Sequence, residues 1–95
     1  MNLLNFYKKN RIMYTITVHG DCMSPTLNNG DIVHICPCEQ YYAGDIIVYM
    51  DKNGVRYIHR IYEITEGRYI TKADNNLYID ENPITYDSIY GKVVL

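Results

Sequence analysis

The tetrapeptide Asp-Lys-Asn-Gly at 51–54 constrains this chain more than any other stretch, because β-branched and aromatic runs flank it on both sides. Asn-Gly accommodates the left-handed backbone of a tight hairpin turn. Residues 45–50 (DIIVYM) and 55–65 (VRYIHRIYEIT) are therefore predicted to pair as antiparallel strands. The unbroken run Ile46, Ile47, Val48, Tyr49 predicts a strand covered on both faces. Four further segments carry strand signals: 13–18 (MYTITV), 31–36 (DIVHIC), 68–72 (RYITK, after a Glu66-Gly67 turn) and 89–95 (IYGKVVL). Residues 73–83, with Asn75, Asn76, Asp80 and Asn82, read as a loop.

The expectation is a mainly β chain: one small domain of bent antiparallel sheets, barrel-like, over 13–95, with 1–12 as a tail or short helix. Ninety-five residues support one core and no second domain. Eleven tyrosines against one Phe and no Trp give the aromatic surface hydroxyl tips, which suits half-buried strands and a groove for extended peptide.

A formal charge of −2 argues against a nucleic-acid surface, which needs clustered Lys and Arg. The one basic cluster, Lys8, Lys9 and Arg11, reads as a solvated tail. No run approaches the roughly 20 apolar residues of a membrane span, and the opening MNLLNFYKKNRIM is short and charged for a signal peptide. With three cysteines, an odd number, this suggests a reducing cytoplasm, with membrane association as the alternative.

Residues 18–31 (VHGDCMSPTLNNGD) are where chemistry concentrates. A β-rich run ends there in a glycine turn followed by Cys22, a placement that presents one side chain at a sheet rim beside free backbone N–H groups. His59 in the long strand is a candidate general base, and Asp74 and Asp80 are candidates to orient it. A thiol with an ordinary pKa of about 8.5 is only slightly ionised at neutral pH, so a neighbouring imidazole is useful. Each residue also has a plain reading: a small core thiol, a solvent-facing strand histidine, aspartates capping turns. Cys36-Pro37-Cys38, with Cys22, His19 or His34, offers a weak zinc pattern that lacks its second half, so no metal and no cofactor are expected.

The run Gly20, Asp21, Cys22, Met23, Ser24, Pro25, Thr26, Leu27, Asn28, Asn29, Gly30, Asp31 resembles the nucleophile motif of the signal-peptidase and LexA-like serine peptidases, with Cys22 at the serine position. His59-Arg60-Ile61, then Thr71, Lys72, Ala73, Asp74, Asn75, Asn76 and Asp80, resemble the archaeal and endoplasmic-reticulum signal peptidases, whose base is histidine. Gly44 to Val48 and Gly91 to Val94 complete an ordered set that covers about residues 15 to 95.

The resemblance implies a peptidase that cuts extended peptides after small residues: Cys22 as nucleophile, His59 as base, Asp74 or Asp80 behind it, Gly20 and Cys22 supplying backbone to an oxyanion site, Met23 and Pro25 contacting substrate. The expected partner is a precursor or leader peptide. Ala73 departs from the family's usual glycine, and Gly20 from a serine that helps the oxyanion site. Cys22 remains open as a native thiol nucleophile, a decayed site in a peptide-binding module, or an introduced replacement. Ser24 falls on a variable position of the motif.

Overall fold

The computed structural model describes residues 3–95. Six strands form one antiparallel sheet: β1 (Tyr14–Thr17), β2 (Ile32–Cys36), β3 (Ile46–Met50), β4 (Arg56–Thr65), β5 (Arg68–Lys72) and β6 (Ile89–Val94), in the order β1-β2-β6-β3-β4-β5. Every segment expected to be a strand is one, trimmed by a residue at several ends. The mainly β, barrel-like expectation holds, as one bent sheet.

The 51–54 turn forms, with residues 52–54 as a three-residue loop. Asp51 anchors it: its main chain bonds Val55 and Gly54, and its Oδ1 accepts the N–H groups of Asn53 and Val55 at 2.9 Å. Gly54 alone takes positive φ, at 80°, the pattern of a turn closed by a glycine bulge. The second hairpin, at Glu66 (φ 50°) and Gly67 (φ 74°), is the two-residue kind.

The two faces of the sheet bury separate clusters. One gathers Ile16 and Val18 at the β1 end with Ile46 and Val48 of β3, together with Met23, Leu27 and Ala73 from the connections. Residues from both ends of the strand order meet in that cluster, which is what bends the sheet on itself. The other face buries Tyr41, Ile47, Tyr49, Ile61 and Ile89, so β3 is covered on both sides, as its apolar run predicted.

Gly91 shows how tightly the sheet is packed at β6. Its φ of 151° lies in the region that disfavours side chains, and a Cβ there would meet Ile35 Cγ2 at 2.5 Å.

Residues 3–10 form helix α1 (Leu3–Asn10). The solvated-tail reading of Lys8 is corrected by its contacts: its Nζ donates to the Asp87 carbonyl at 2.6 Å and sits 5.0 Å from the Tyr90 ring centroid. Burial lowers its pKa. Tyr7 stacks on Tyr14, ring centroids 4.9 Å apart, so the helix is docked against the sheet. No helix among the described residues is long and apolar enough to cross a membrane.

Candidate active site

Four antiparallel steps separate β1 from β4 in the strand order, so the two run in the same direction. Where the sheet bends, they flank an open cleft of about 160 Å³ lined by residues 17–20, Cys22, Met23 and residues 56–59. Cys22, exposed at the turn after β1, and His59 of β4 line the same cleft.

On the cleft side, both walls are strand edges that pair with no strand among the described residues. Val18 bonds Asp31 and Gly30 toward β2, so the alternate residues Thr17 and His19 turn their main chain the other way. On β4, Val55 and Ile61 both bond toward β3, which puts the main-chain groups of the even residues on the far side. Arg60 pairs there with Lys72 of β5. The β5 pairing begins at Arg60, so Ile58 and Arg56 present their amide groups to the cleft.

Behind His59 lies a buried polar network. Nδ1 of His59 is 2.7 Å from Asp80 Oδ2 and 3.1 Å from the Tyr49 hydroxyl. The same Asp80 oxygen accepts from Thr71 Oγ1 at 2.6 Å and from Tyr49 at 3.3 Å. Thr71 is 1% exposed, and burial raises the Tyr49 phenol's pKa. A carboxylate at Nδ1 favours the tautomer with its proton there, leaving Nε2 as the basic nitrogen. Nε2 makes no hydrogen bond among the described residues, and no buried side-chain nitrogen or oxygen among them lacks a partner. Nε2 therefore opens to solvent, on the cleft that His59 lines.

Asp74 is placed elsewhere. Its carboxylate accepts Arg60 Nε at 2.9 Å and Nη2 at 2.8 Å, and the Thr26 hydroxyl at 2.7 Å. The Arg60 hydrogen bonds, foremost, hold its carboxyl below the ordinary carboxylate range. Its neighbour Asn75 donates from its main chain to the Cys22 carbonyl at 2.8 Å and from its side chain to Asp21 O at 3.1 Å. The 73–76 segment is thus a latch that ties the Cys22 turn to the far end of the sheet. Ala73, at the position noted for glycine, is buried in the core.

Three other expectations meet a different geometry. The Gly20 N–H is donated to Asn29 Oδ1 at 2.8 Å, so it is not free for an oxyanion; the Cys22 N–H has no acceptor among the described residues. Met23 is 2% exposed and packs in the core, its sulfur accepting the Asp74 N–H at 3.3 Å, so it is cleft floor more than substrate contact. Pro25 is exposed but not part of the cleft lining. Ser24 donates its hydroxyl to Asn28 Oδ1 at 2.8 Å.

Sequence reasoning gave Tyr49 and Thr71 no role at the site. Thr71 was visible inside the Thr-Lys-Ala-Asp run, but its function depends on which face of β5 carries it. The Cys36 and Cys38 sulfurs lie 3.7 Å apart, with burial raising the Cys38 thiol's pKa. No group of three or more His, Cys, Asp or Glu able to hold a metal occurs among the described residues.

No curated protein matches this chain. A family model described as Peptidase S24-like matches residues 2–94, nearly the whole sequence and every element that builds the cleft. The chain belongs to the Peptidase S24-like family.

Proposed function

We propose that the protein is a peptidase of the histidine-using, signal-peptidase-like branch, with Cys22 as nucleophile, His59 as general base and Asp80 as the residue that positions His59. The observation that carries this reading is the Asp80–His59 contact beside a cleft that also holds an exposed thiol. The substrate is an extended precursor or leader peptide, which enters as a strand between β1 and β4 and pairs with the open main chain on either side.

In the reaction, His59 Nε2 takes the Cys22 thiol proton as the sulfur attacks the scissile carbonyl carbon. The Cys22 N–H faces the developing oxyanion. The imidazolium, steadied by Asp80 at Nδ1, then gives the proton to the leaving amine, and a thioester forms. Water, deprotonated by His59, releases the acid and restores the thiol.

A second reading is a peptide-binding module without chemistry. It is favoured by the commitment of the Gly20 N–H to Asn29, which leaves one identified donor for the oxyanion. Incubation of the reduced protein with pooled peptides rich in Ala and Ser, followed by mass spectrometry, separates the two. Cleavage after small residues, abolished by Cys22→Ala and by His59→Ala, is expected. No cleavage by the unmodified protein, or undiminished cleavage by either variant, removes the peptidase mechanism.

A further inference from the structure

We infer that the cleft selects peptides carrying an acidic side chain about three residues from the bond to be cut, through Arg56. This rests on the proposed placement of a peptide between β1 and β4, and it adds the chemical class of the substrate.

The chain carries 11 acidic and 9 basic residues, yet the cleft lining contains no carboxylate. Its charged side chain is Arg56, accompanied by His19 and His59. Arg56 makes no hydrogen bond or ion pair with any described residue, unlike Arg60, four residues on along the same face of β4, which is tied to Asp74 and to the Gly44 carbonyl. Acids that lie beside lining residues in the chain or in space are otherwise placed. Asp80 is held behind His59, Asp51 accepts the turn amides, and Asp21 is outside the lining. An unpaired guanidinium inside a peptide slot is a planar, permanently charged fork suited to a carboxylate.

Position follows from the strand geometry. Because β1 and β4 run the same way, the two walls run in step, from Thr17 and Arg56 toward Cys22 and His59. Three strand residues, about 10 Å, separate Arg56 from His59, and an odd offset puts the two side chains on opposite faces of β4. A peptide strand lying alongside would bring its acidic side chain to Arg56 about three residues from the carbonyl at Cys22, on the face opposite the His59 ring.

The test uses the full chain with Cys22→Ala, so that nothing is cut, and fluorescent ten-residue peptides of Ala and Ser in which one Glu, Gln or Lys is walked through every position. Fluorescence polarisation at low salt is expected to show, at one position, Glu bound at least about fivefold more tightly than Gln. Added salt narrows the gap. Arg56→Gln removes the difference between Glu and Gln, and Arg56→Glu reverses it to favour Lys at the same position. Equal binding of Glu and Gln peptides at every position overturns the inference. So does a preference that survives in Arg56→Gln, or absence of binding by all peptides. Offering the preferred peptide to the unsubstituted protein keeps the two readings apart. Selective binding without cleavage retains the acidic preference and removes the peptidase; cleavage indifferent to Glu does the reverse.

Discussion

Nδ1 of His59 sits 2.7 Å from Oδ2 of Asp80, 21 residues further along the chain, while Asp74, nearer in sequence, turns its carboxylate onto Arg60. The two aspartates therefore have separate partners, Asp80 at the imidazole and Asp74 at the guanidinium. Asp80→Asn should reduce peptide cleavage by about 100-fold to 10,000-fold, by favouring the wrong imidazole tautomer, with little loss of stability. Steady-state cleavage assays and a denaturation curve on the same sample check both halves.

Asp74→Asn should act the other way, lowering stability by about 1–2 kcal/mol as the charged fork to Arg60 is lost. Because Arg60 depresses the Asp74 pKa in the fold, Asp74 contributes stability above its unfolded value of about 3.9 and loses it as pH falls through the folded value. The gap between the wild-type and Asp74→Asn proteins should thus close below about pH 4. Urea denaturation from pH 3 to pH 7 tests this; a gap independent of pH would show that the latch does not depend on the carboxylate's charge.

Met23 distinguishes a core residue from a substrate contact. With 2% exposure and its sulfur on the Asp74 amide, Met23→Ala should cost about 2–5 kcal/mol of stability. A variant that melts like wild type yet binds peptide poorly would restore the substrate-contact reading.

Gly91→Ala should destabilise by about 2–4 kcal/mol, combining an unfavourable φ with overlap on Ile35. Thermal unfolding measures it, and if the overlap is the larger part, Gly91→Ala should cost less in an Ile35→Ala background, where the overlapping Cγ2 is gone, than in the wild type.

How much was legible follows the range of the interactions. Strands around Asn53-Gly54 and Glu66-Gly67 were readable because turn chemistry and apolar alternation are local. The order β1-β2-β6-β3-β4-β5 was not, since it is set by contacts between segments as distant as Ile35 and Val93. Cys22 and His59 were visible as motif residues, but choosing between Asp74 and Asp80 requires the β4–β5 register, which shifts between Ile61 and Glu63. The surroundings of Met23 and Gly20 were not legible for a related reason: both sit in a motif, and their side chain or amide is claimed by partners, Asp74 and Asn29, that only the closed fold brings near.

The proposed action of His59 on the Cys22 thiol can be measured without any substrate, from the rate at which iodoacetamide modifies Cys22, resolved by peptide mass spectrometry in wild-type and His59→Ala proteins at neutral pH. With His59 acting as base, Cys22 reacts about tenfold or more faster in the wild type than in His59→Ala, while Cys36 and Cys38 react alike in both. Equal Cys22 rates in the two proteins would contradict the account, leaving an exposed thiol beside a histidine that does not activate it.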